Sequence, residues 1–118
     1  IAAVSPVEAI GLTGKELQRF IGEVDLLVNA TSVGLKAGDA LPLPKELLTP
    51  KLAVYDTIYR PAETALVRQA SEAGAKVANG LSMLLHQGAK SFEIWTKRKA
   101  PLAVMRRALR EAVYGDHP

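Results

Sequence analysis

Two short apolar runs that each close on small polar residues, followed by a third short strand-like stretch, constrain the fold of this chain more than any other feature. One is Asp25-Leu-Leu-Val-Asn-Ala-Thr-Ser-Val-Gly34, a second is Leu52-Ala-Val-Tyr-Asp-Thr-Ile-Tyr-Arg-Pro61, and a third spans 75–78 and runs into Asn79 and Gly80. Continuous apolar runs of this length, bounded by turn residues and separated by stretches of helical spacing, form the pattern of strands buried in a parallel sheet. Strands are therefore expected at 26–30, 52–56 and 75–78. Ligands of doubly wound sheets sit outside the carboxyl ends of the strands. Here those ends are Asn29-Ala30-Thr31, Asp56-Thr57 and Asn79-Gly80, and all three are expected to point the same way.

Helices fill the intervals. Thr13 and Glu16 stand in capping-box spacing ahead of Leu17, Phe20 and Ile21, which predicts a short helix from about 14 to 21. Pro42, Pro44 and Pro50 make 31–50 a loop, broken by one helical turn near 45–48. Pro61 and Gly74 bracket a helix that turns Leu66, Val67, Ala70 and Ala73 inward. From 81 to about 97, Leu81, Leu84, Leu85, Gly88, Phe92 and Trp95 recur at helical spacing as a stripe expected to bury against a sheet. Met83 and Gln87 lie four apart on a different face, near the helix start, where backbone N–H groups lack intrahelical partners. Pro101 opens a last helix with Leu102, Met105, Leu109 and Ala112 on one face. The fold class is α/β.

Composition narrows the field. With 118 residues the chain is one domain's length and buries roughly 65% of its unfolded surface. No apolar run approaches the roughly 20 residues of a membrane span, and no secretory signal is visible. Absence of cysteine excludes a disulfide scaffold and thiolate metal sites, and is compatible with a cytosolic protein. The net charge of +3 gathers at Lys97, Arg98, Lys99, Arg106, Arg107 and Arg110. Without interleaved aromatic residues, this cluster reads as a solvated helix face and not as a nucleic-acid surface. His86 and His117 are too far apart in sequence for a helical metal pair. Asn29-Ala30-Thr31 matches a glycosylation sequon, a coincidence at the end of an apolar strand.

Three patterns carry a family resemblance: Val28-Asn-Ala-Thr-Ser-Val-Gly34; Tyr55-Asp-Thr-Ile-Tyr-Arg-Pro61 with Thr64 and Leu66; and Asn79-Gly-Leu-Ser-Met-Leu-Leu-His-Gln-Gly88 with Phe92, Trp95 and Thr96. Their order and spacing across 25–96 resemble the carboxy-terminal portion of the shikimate dehydrogenase family. Members of that family reversibly reduce 3-dehydroshikimate to shikimate with NADPH in aromatic amino-acid (chorismate) biosynthesis. The resemblance implies a partial Rossmann-like domain, a doubly wound parallel sheet of three to four strands with flanking helices. It makes 1–118 the carboxy-terminal part of an NADP-binding domain, with closing helices at about 81–114, in a cytoplasmic enzyme. It also implies that Asn29, Ala30 and Thr31 lie beside NADP, that Thr57 and Gly80 present backbone groups to the nicotinamide end, and that Met83 packs against it. Tyr59 and Gln87 are the positions implied to contact shikimate. A nicotinamide ring needs an apolar wall, and a polyhydroxylated acid needs partners that both donate and accept.

Departures from the family pattern matter as much. No glycine-rich dinucleotide fingerprint is present, since Gly11-Leu-Thr-Gly14 follows no strong strand. Asp25 and Asp56 do not fit the family's catalytic aspartate motif, and no lysine stands in its catalytic context, so no catalytic residue is assigned in this chain. Ser82 and Lys97 stand where many relatives carry glycine. Because the first residue is Ile1 and not methionine, the chain is expected to be a piece of a longer enzyme, inactive alone. The first strand of the usual order is missing, so strand 26–30 is expected to expose an edge that pairs with another copy, giving a homodimer, or with residues 1–4. Two alternatives are a non-catalytic binding or oligomerisation module of the same ancestry and a basic adaptor touching nucleic acid through 97–110. No membrane and no metal is expected to take part.

Overall fold

A computed structural model describes residues 6–115. In chain order the elements are helix α1 (Gly14–Glu23), strand β1 (Leu26–Asn29), a single 3-10 turn (Lys45–Leu47), strand β2 (Ala53–Asp56), helix α2 (Ala65–Glu72), strand β3 (Lys76–Ala78), helix α3 (Leu81–Thr96) and helix α4 (Leu102–Tyr114). The three strands form one parallel sheet in the order β1-β2-β3. Register places Leu27 opposite Val54 and Asn29 opposite Asp56, so alternate residues of the two strands present one common face. That face holds the core. Leu52 and Val54 pack with Leu17 of α1, Leu66 and Ala70 of α2, and Leu43 and Leu48 of the long loop. On the opposite face Leu26 and Val28 stay exposed.

Local chemistry explains most boundaries. Thr64 caps α2, its Oγ1 accepting from the Val67 N–H at 3.2 Å, and Gly74 follows the helix at φ 84°. Leu66, Val67 and Ala70 are buried as the sequence predicts, while Ala73 is half-buried. The capping box at Thr13 does not form. Gly14 starts α1 at φ 84°, outside the helical range, and the Thr13 side chain makes no capping bond. The helix nonetheless runs two residues past the expected end.

The stripe on α3 has a different partner from the one expected. α3 packs chiefly against α4, where the bare Gly88 backbone approaches the Met105 methyl. Leu85 and Ala89 are buried, Leu81, Leu84, Gly88 and Phe92 are half-buried, and Trp95 is 80% exposed. The core closes around Leu52 and Val54, and the last turn of α3 extends beyond it. On α4, Met105 and Leu109 turn inward but Leu102 and Ala112 remain exposed.

Lys97 accounts for one of the departures noted in the sequence. It ends α3 at φ 58°, ψ 22°, the left-handed conformation that favours glycine. Lys97→Gly is expected to raise stability by about 0.5–1 kcal/mol, since relief of left-handed strain exceeds the added entropy of the unfolded chain. Urea unfolding of the two forms measures it; a destabilised variant would contradict the assignment.

Among the described residues no helix is long and apolar enough to cross a membrane, and no three His, Asp or Glu side chains gather as a metal site requires. Residues 1–4 and His117, which entered the sequence expectations, lie outside the described residues.

Candidate functional site at the strand ends

The parallel register brings the carboxyl ends of β1 and β2 side by side, and hydrogen bonding continues beyond the strands. The Asn29 carbonyl accepts both the Thr57 N–H at 3.0 Å and the Thr57 hydroxyl at 2.9 Å. The Gly80 N–H donates to the Ile58 carbonyl at 3.1 Å, which ties the start of α3 to the segment after β2. Contact here is so close that a Cβ on Gly80 would lie 1.9 Å from the Thr57 carbonyl oxygen. Only glycine fits. The three polar ends read from the sequence therefore meet.

Beneath them lies a hydrogen-bonded hub. Asp56 is fully buried; its Oδ1 accepts from Asn29 Nδ2 at 3.1 Å and from the Ile58 N–H at 3.1 Å, and its Oδ2 accepts from the Thr64 hydroxyl at 2.6 Å. Asn29, 4% exposed, donates its second Nδ2 hydrogen to the Val33 carbonyl at 3.0 Å. Its Oδ1 accepts from the Thr31 hydroxyl at 2.7 Å and the Thr31 N–H at 3.2 Å. These bonds satisfy each buried polar atom, as a buried network must. They also fix two loops, 30–34 after β1 and 57–64 after β2, relative to each other. Gly34 completes the first loop at φ 112°, against Ile58 and Thr64. Beyond it the Asp39 carboxylate accepts from the Gly34 and Lys36 N–H groups at 2.9 and 3.1 Å, and those bonds hold its carboxyl below the ordinary range.

Above the hub opens a cleft of about 560 Å³ lined by Thr31, Ser32, Leu35, Thr57, Ile58, Tyr59, Arg60, Leu84 and Val113. Of the residues singled out from the sequence, it unites Thr31, Thr57 and Tyr59. Gly80 is buried at its back through the Ile58 and Thr57 contacts. Ala30 is exposed beside Thr31. Met83, 44% exposed, and Gln87, also exposed, stand on α3 near the cleft residue Leu84 but do not line the cleft. Asn29 lies below the surface, and its amide is fully engaged inside the protein. Asp56, Leu84, Val113 and Arg60 were not assigned a site role from the sequence. An aspartate at the end of an apolar strand was the available signal for the hub.

A parallel α/β sheet with its polar strand ends gathered at one cleft defines the Rossmann-like class of domain. A family model described as the shikimate 5'-dehydrogenase C-terminal domain matches residues 80–110. The chain is 47% identical over 106 residues to the shikimate dehydrogenase (NADP(+)) of Natronomonas pharaonis, covering 90% of this chain and 40% of that protein. It is 48% identical over 103 residues to the enzyme of the same name from Methanocella arvoryzae, covering 87% and 38%. Among solved structures, shikimate dehydrogenase from Aquifex aeolicus superposes with a TM-score of 0.81 at 38% identity, over 92% of this chain and 39% of that one. Shikimate 5-dehydrogenase from Thermus thermophilus in complex with NADP(H) and shikimate gives 0.73 at 43%, over 80% and 36%. The chain belongs to the shikimate dehydrogenase family and corresponds to its carboxy-terminal portion. It spans about two fifths of the length of the curated relatives it matches.

Proposed function

We propose that this chain supplies the nicotinamide-side wall and part of the substrate pocket of an NADP-dependent shikimate dehydrogenase, which interconverts 3-dehydroshikimate and shikimate. The observation that carries the reading is the meeting of Thr31, Thr57 and Tyr59 in one cleft, backed by Gly80. Its donor set suits the cofactor. Leu35, Ile58, Leu84 and Val113 offer an apolar wall, while Thr31 and Thr57 line its polar side. Thr31, Thr57, Ile58 and Leu84 would hold the nicotinamide end of NADP+, which would supply the hydride acceptor for the reaction. Asn29 acts from below by holding Thr31 in place, and Met83, exposed on α3 beside Leu84, would pack against the ring from the edge of the cleft. Tyr59 and Gln87 offer the hydroxyl and amide groups that a polyhydroxylated acid requires.

On this reading residues 1–118 are the carboxy-terminal part of an NADP-binding Rossmann-like domain, with α3 and α4 closing it, in a cytoplasmic enzyme. β1 is an edge strand of the sheet formed by the described residues, which favours, as a second expectation, pairing of copies through that open edge. The 118-residue chain alone is expected to show no NADPH formation from shikimate and NADP+, because no lysine–aspartate pair of the family pattern is matched in it. Titration of isotopically labelled chain with NADP+ is expected to shift the amide signals of Ala30, Thr31, Thr57, Gly80 and Met83, with shikimate acting on Tyr59 and Gln87. Turnover by the pure chain would overturn the partial-site reading. Cofactor shifts confined to other surfaces would overturn the residue assignments.

A further inference from the structure

We infer that Tyr114 is a positioning residue for the strand-end cleft, joining the closing helix to the two segments that carry Tyr59 and Gly80. The inference rests on the reading of the cleft given above. The Tyr114 hydroxyl donates to the Tyr59 carbonyl at 2.7 Å and accepts from Asn79 Nδ2 at 3.0 Å. Asn79 in turn donates through the same Nδ2 to the Ala62 carbonyl at 2.9 Å, and its Oδ1 accepts from the Leu81 N–H at 3.1 Å, in the first turn of α3. A single hydroxyl thus meets the backbone of residue 59 and the side chain that organises the α3 start. These contacts span 55 and 35 residues of sequence.

Packing alone does not need this hydroxyl, since a phenylalanine ring fills nearly the same volume. What the hydroxyl adds is direction: a donor and an acceptor used at once on two different segments. Tyr114 is the last residue of α4, and its neighbour Val113 lines the cleft. α4 therefore sets the separation between the Tyr59 segment and the Gly80 turn without touching a ligand through Tyr114 itself. Two further bonds join the same segments, Gly80 N–H to the Ile58 carbonyl and Asn79 Nδ2 to the Ala62 carbonyl, and between them the tyrosine hydroxyl holds the Tyr59 carbonyl.

The test is Tyr114→Phe in the native gene product, at whatever length it is expressed, read by steady-state kinetics with shikimate and NADP+. The KM for shikimate is expected to rise about 5- to 10-fold, the order of one net hydrogen bond, with kcat nearly unchanged. Leu109→Ala, which loosens the contact between α3 and α4 without reaching the hydroxyl, is expected to lower the melting temperature and leave KM alone. An unchanged KM in Tyr114→Phe, or an equal rise in Leu109→Ala, overturns the inference. Amide exchange provides a readout independent of turnover: Tyr114→Phe is expected to speed exchange at Gly80 and Leu81 and leave Val54 as it was. Should the unsubstituted protein fail to oxidise shikimate, the functional reading falls while exchange still decides the role of Tyr114. Unchanged exchange at both sites overturns it.

Discussion

Asp56→Ala is expected to destabilise the chain by about 3–5 kcal/mol, because it leaves buried donors on Asn29, Ile58 and Thr64 without an acceptor. That is a large share of the roughly 5–15 kcal/mol that holds a domain together. The urea midpoint is expected to fall by about 1–3 M at the slope typical of a chain this size. Asp56→Asn separates loss of acceptors from loss of volume. Its carbonyl keeps one oxygen for Ile58 and Asn29, and its NH2 group donates to a Thr64 hydroxyl that formerly donated. A cost of about 1–2 kcal/mol is expected for it. If the alanine variant unfolded at the wild-type midpoint, Asp56 would not be the hub of the two loops.

Gly80→Ala is expected to be comparably severe for a steric reason. The new methyl would lie 1.9 Å from the Thr57 oxygen and 2.6 Å from its carbonyl carbon. Both are backbone atoms, so no side chain can rotate away. Either α3 withdraws, breaking the Gly80 N–H to Ile58 carbonyl bond, or the residues after β2 yield. Overpacking of this kind costs about 3 kcal/mol or more, and any movement falls on the cleft. Gly88→Ala sets the contrast, because its added methyl meets only the Met105 Cε at 3.9 Å. Gain of helix propensity there is expected to stabilise by up to about 1 kcal/mol. The two substitutions lie at the cap and in the middle of one helix and change the same atoms, so unfolding curves that failed to separate them would refute the account of Gly80.

Much of this architecture was legible from residue order, and the reason is local. Apolar runs ending in polar residues located β1 and β2 within a residue or two, and β3 was found at its place although it carries Lys76 and is exposed along its whole length. Pro61 and Gly74 bracketed α2 through backbone chemistry that acts over a few residues, while the cap itself, Thr64, was not read as one. The failures were of another kind. Trp95 continued the periodicity of α3, but periodicity gives a face and not the partner that covers it. Thr13 and Glu16 had the right spacing, and Gly14 then took a left-handed conformation that spacing does not encode. At the site, residue order placed Asn29 and Asp56 at strand ends but did not show that they bond to each other beneath the surface. Their bond joins positions 27 residues apart, and Tyr114 reaches Tyr59 across 55. Such pairings depend on how strands align in space, which no stretch of sequence states.

The Asn29–Asp56–Thr64 hub also bears on how a ligand would be received. The loops above it are ordered by bonds made during folding, so their conformational entropy is already lost before anything binds. A ligand meeting such a preorganised rim gives up mainly its own freedom, and more of each contact appears as affinity. The same rigidity limits tolerance. A rim held from beneath accepts a molecule of the matching shape and adapts little to another, so discrimination between related ligands would lie in the few side chains that line the cleft above the hub, Tyr59 and Arg60 among them.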